Sequence, residues 1–68
     1  MRIEDIINYN LTAVKEHEFT IKSLVADRQK TKNKEKLQDI EYHIILYTGE
    51  IQAIKRINEM LFKVLETN

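Results

Sequence analysis

The stretch LQDIEYHIILYTGEIQAIKRINEMLFKVL, residues 37–65, places Leu37, Ile40, Ile44, Tyr47, Ile51, Ile54, Asn58, Leu61 and Leu65 at alternating steps of three and four. An α-helix turns once in 3.6 residues, so this spacing puts all nine side chains on one stripe. A helix of this pattern is built to lie against another helix. The stripe specifies a packing partner and carries no reaction chemistry of its own.

Upstream, Ile7, Leu11, Val14, Ile21 and Val25 form a second stripe, interrupted by Glu18 and widened on one flank by Ile3, Ile6, Ala13 and Leu24. The expected fold class is therefore all-α, an antiparallel two-helix hairpin with amphipathic helices over about 3–29 and about 34–66 in one domain spanning residues 1–68. Between the helices run Gln29, Lys30, Thr31, Lys32, Asn33, Lys34, Glu35 and Lys36, which belong to neither stripe. Thr31 or Asn33 suits the N-cap of the second helix, because a short side-chain oxygen accepts the free amides of a first turn. With no proline and one glycine, nothing in the chain forces that turn, and a single continuous helix is the competing reading. Thr48 and Gly49 offer another possible break, but Tyr47, Ile51 and Ile54 keep their phase across it, so an uninterrupted helix is expected.

A hairpin folded at residues 32 and 33 brings Leu11 to Ile54, Val14 to Ile51, Ile21 to Ile44 and Val25 to Ile40, with Leu61 extending the core. Glu18 then falls opposite Tyr47, where a carboxylate facing a phenol would form a polar pair in the seam. Asn58 has two readings, a buried polar residue that fixes register and a wetted residue near the open end.

The second helix is too apolar for one neighbour. Beside its stripe run Leu46, Ala53, Ile57, Met60 and Val64, and an apolar band of that length normally marks an interface. With Ile3, Ile6 and Leu24 from the first helix they form the expected contact with a second copy, completing a four-helix bundle, or with a heterologous protein. A chain of 68 residues has a small core and no cysteine to staple it, which leaves association as the remaining staple. Tyr42, Ile45 and Gly49 form a further candidate partner patch on the outer face, where a missing side chain permits close approach.

Chemistry is sparse. Neither histidine has a carboxylate three residues before it, those positions being Val14 and Ile40, and one glycine cannot build a phosphate loop or a nucleophile elbow. Asp39 and His43 make a surface pair at four-residue spacing. No enzyme, cofactor, metal or small-molecule substrate is expected. Eleven basic and eleven acidic residues cancel, so no global field draws nucleic acid or an anionic membrane. Locally, Arg28, Lys30, Lys32, Lys34 and Lys36 outnumber the lone acid Glu35 over residues 28–36. Phosphate contact by the four lysines, in an accessory role on nucleic acid, is the alternative function. The N-terminus lacks a signal-peptide core, and no run is long enough to span a membrane, so a soluble cytoplasmic protein is expected. Frequent Ile, Lys, Asn and Glu fit an AT-rich genome, such as that of a low-GC bacterium or phage. The sequence reading is a small adaptor, assembly factor or inhibitor that binds itself and another protein.

Overall fold

The computed structural model describes residues 2–67 and contains two helices, α1 (Ile3–Lys30) and α2 (Lys34–Thr67), packed along each other as a hairpin. The body is a rod, 53 × 16 × 14 Å. Both helix starts are fixed by local chemistry. At α1 the Asp5 carboxylate accepts the Arg2 backbone N–H at 3.4 Å, the backward half of a capping box, and Glu4 and Asp5 place negative charge where the helix dipole is positive.

The turn resolves in favour of Asn33. Its Oδ1 accepts the amides of Glu35 at 2.9 Å and Lys36 at 3.2 Å, while Thr31 turns back to donate its hydroxyl to the Asp27 carbonyl at 2.7 Å. Thr31 itself is extended and ends α1, so three residues suffice to reverse the chain. The continuous-helix alternative is excluded by this reversal, and α2 runs through Thr48 and Gly49 without a break.

Burial is shallow because each helix has one neighbour. Ile7, Val14 and Ile51 are the apolar residues that reach the buried class among those described, and Asn58 joins them at 5% exposure. Ile40, Ile44, Ile54 and Leu61 are half-buried along α2, as are Ile21 and Val25 along α1.

Two expectations for α1 are corrected. Leu11 is 46% exposed and does not belong to the hairpin core. Glu18 is also exposed, and His17 instead stands against Tyr47, their ring centroids 5.1 Å apart. The face that α1 turns to α2 contains Ile3, Ile7, Asn10, Val14, His17, Ile21 and Leu24, all at least half-buried and spaced by three and four. It is rotated toward the flank of Ile6 and Ala13 relative to the expected stripe. The physical reason is polar pairing across the seam: Asn10 and His17 both find partners on α2, so facing inward costs neither its hydrogen bonds.

Candidate protein-interaction face

The seam between the helices contains two polar layers. In the first, Asn10 Nδ2 donates to Asn58 Oδ1 at 2.8 Å, and Asn58 Nδ2 donates to the Ile7 carbonyl at 3.3 Å. Asn58 is thus held by a side chain and a backbone group of α1. Of its two sequence readings, the buried one is observed. Among the described residues no buried side-chain nitrogen or oxygen lacks a partner, so the layer is satisfied rather than strained.

In the second layer His17 lies beside Tyr47 and places Nε2 3.2 Å from Glu50 Oε2, donating to it when that nitrogen carries its proton. Tyr47 also lies 6.3 Å from the ring of His43, whose Nδ1 is 2.8 Å from the Asp39 carbonyl and 3.6 Å from its carboxylate. The pairing of residue 10 with 58 and of 17 with 47 and 50 sets the register of the hairpin. These layers lock one alignment of two otherwise interchangeable aliphatic stripes, because a one-turn slip would bury unpaired amides.

With the seam so defined, the residues outside it can be placed. Leu46, Ile57, Met60 and Val64 are 41–66% exposed, and Ala53 is exposed between them. All five lie on the flank of α2 turned away from α1. Of the α1 residues expected beside them at an interface, Ile3 and Leu24 are half-buried on the face turned to α2, and Ile6 is half-buried at its edge. Helical phase sets Ile6, Leu24 and the α2 band on the same broad side of the rod.

Tyr42, Ile45 and Gly49 are exposed, and a Cβ built on Gly49 meets nothing within 4 Å. Glycine in a helix interior costs about 1 kcal/mol relative to alanine. Nothing inside the hairpin asks for that cost. By helical spacing Gly49 falls between Leu46 and Ala53, so it continues the apolar band as well as lying beside Tyr42 and Ile45.

Leu11 marks the opposite broad side, where it lines a groove with Val14, Lys55, Asn58, Glu59 and Phe62. Its lining is mainly apolar, with Lys55 and Glu59 as its charged residues. Near the turn, Lys30 and Lys36 line a depression together with Asp27, Glu35 and Asp39, so the field over it is mixed rather than cationic. Lys30, Lys32, Lys34 and Lys36 are all exposed. Among the described residues no group of three or more His, Asp or Glu is placed to hold a metal ion, and no helix is long and apolar enough to cross a membrane.

The signal that sequence reading undervalued was Asn10. An asparagine in an amphipathic helix scores as surface, and its inward position becomes visible once it is paired with Asn58 forty-eight residues away. The chain matches no protein-family model, no curated protein sequence and no solved structure.

Proposed function

We propose that this protein is a non-enzymatic protein-interaction module that self-associates through the apolar band of α2 and serves as an adaptor, assembly factor or inhibitor. The observation that carries this reading is the contrast between a thinly buried hairpin interior and a long band of exposed apolar residues, Leu46, Ile57, Met60 and Val64, on a single flank. Soluble monomers seldom leave a contiguous apolar surface of that kind in water, whereas helix-packing interfaces are made of it. The two polar layers support the reading from the other side. They fix the hairpin's own register, so the band is a defined surface rather than a second way of folding.

Size exclusion with light scattering tests it. The native chain should elute as a dimer or larger at tens of micromolar, and a variant carrying Leu46→Gln, Ile57→Gln and Met60→Gln should run as a helical monomer. A native chain of 8.1 kDa mass at every concentration contradicts self-association.

A further inference from the structure

The exposed band has an internal symmetry. Reading along α2, it consists of Tyr42, Leu46, Gly49, Ala53, Ile57, Met60 and Val64, every one of them exposed. The steps between them are four, three, four, four, three and four, the same in either direction about Ala53. Tyr42, Ala53 and Val64 are separated by eleven residues each, three turns at about 3.67 residues per turn, so the band runs nearly straight along the helix. A stripe that reads identically in both directions can face a second copy in antiparallel orientation with every position meeting another position of the stripe, since a two-fold axis pairs each position with its mirror position.

We infer that two copies pack α2 against α2 in antiparallel orientation about a two-fold axis at Ala53. This deepens the self-association proposed above and rests on it. The axis pairs Tyr42 with Val64 of the second copy, Leu46 with Met60, Gly49 with Ile57, and Ala53 with itself.

Side-chain volume favours this orientation over the parallel one. Antiparallel pairing sets the smallest residue of the band, Gly49, against the branched Ile57, and alanine against alanine. The three central layers are all narrow, and the two backbones can approach closely there while the larger residues fill the widening ends. Parallel pairing sets Gly49 on Gly49 and Ile57 on Ile57, a void beside a crowded layer, and both are unfavourable in a packed interface. The open space around Gly49 within the hairpin is then the room that Ile57 of the second copy fills.

The exposed side chains supply the larger part of the area such a contact needs. Tyr42, Leu46, Ile57, Met60 and Val64 are 41–66% exposed, which at about 200 Å² for a large side chain amounts to an apolar surface on the order of 500 Å². A stable dimer buries roughly 800 Å² on each partner. The remainder falls to Ala53, the Gly49 backbone and rim residues on the same side such as Ile45, Arg56 and Lys63. The same pairing brings Lys63 alongside Ile45 of the second copy, where its aliphatic stem can lie over the isoleucine.

The chain has no cysteine, so single cysteines report the arrangement directly. Ala53→Cys should form a disulfide-linked dimer under mild oxidation. Leu46→Cys and Met60→Cys should each stay unlinked when alone, because each lies about 21 Å from its own copy along the axis at about 1.5 Å per residue. Mixed together, Leu46→Cys and Met60→Cys should give the linked heterodimer. Gly49→Leu, which meets nothing within its own hairpin, should weaken dimerisation at least tenfold with the helical signal retained. Self-linking of Leu46→Cys at the rate of Ala53→Cys, or no linking of any pair in a sample that light scattering shows to be dimeric, overturns the antiparallel arrangement and leaves self-association standing. A monomer by light scattering overturns both.

Discussion

The two helices use their apolar residues differently. α1 directs nearly all of its aliphatic side chains at α2, and of its large hydrophobics Tyr9, Leu11 and Phe19 are left exposed, scattered around the helix. α2 carries one stripe packed on α1 and a second that stays exposed: Tyr42, Leu46, Ile57, Met60 and Val64 are exposed in a line. Both helices are amphipathic by composition. The difference lies in phase, since scattered exposed apolars need no partner and aligned ones define a surface. α1 is thus the helix that completes the hairpin, and α2 is the helix that faces outward.

Substitutions on the two stripes of α2 should separate these roles. The largest effect on folding is expected at Ile51, buried on the inner stripe near the middle of the rod. Ile51→Ala removes three carbons from the apolar residue of α2 that reaches the buried class, and a loss of about 2–4 kcal/mol is expected in urea unfolding. Val64→Ala on the outer stripe should cost less than about 1 kcal/mol at concentrations where the chain is monomeric. Equal losses at the two positions would erase the distinction between the stripes.

A smaller effect is expected at the polar layer. Asn58→Ala deletes an acceptor for Asn10 and a donor to the Ile7 carbonyl, worth about 1–3 kcal/mol together. The joint replacement Asn10→Leu with Asn58→Leu should recover that stability or exceed it, because two apolar residues bury no unmet polar group. The cost is expected in uniqueness. The double variant should show broadened amide resonances or several exchanging species where the native chain shows one, and a single sharp set of resonances would remove the register-setting role.

The smallest effect on folding distinguishes the helix from its surface. Gly49→Ala should raise the stability of the monomer by about 0.5–1 kcal/mol through helix propensity, since the added methyl group meets nothing in the hairpin. A destabilised monomer would mean that Gly49 is required within the hairpin itself.

Much of the architecture was legible in the sequence. The inner stripe of α2 keeps phase for eight steps, which is enough to define a helix through the glycine, and the polar stretch from Gln29 to Lys36 holds the cap residue Asn33 that starts α2. The rotation of α1 was not legible. Leu11 and Glu18 lie one residue along from Asn10 and His17, and hydropathy ranks the leucine above the asparagine. Only the cross-helix partners, Asn58 for Asn10 and Tyr47 with Glu50 for His17, reverse that ranking. Pairing of polar groups at long sequence separation is a tertiary fact that periodicity does not encode. The outer band was legible as residues but not as a pattern. Its symmetry about Ala53 emerges when Gly49 is assigned to it by helical spacing, and the exposure of all seven positions in the folded hairpin is what sets them apart as one band.

As proposed above, the outer stripe of α2 is a packing surface for a second copy. Thermal unfolding followed by circular dichroism over a hundredfold range of protein concentration tests it most directly, because association stabilises the folded state by mass action. The midpoint should climb by several degrees across that range. A midpoint independent of concentration would contradict the account.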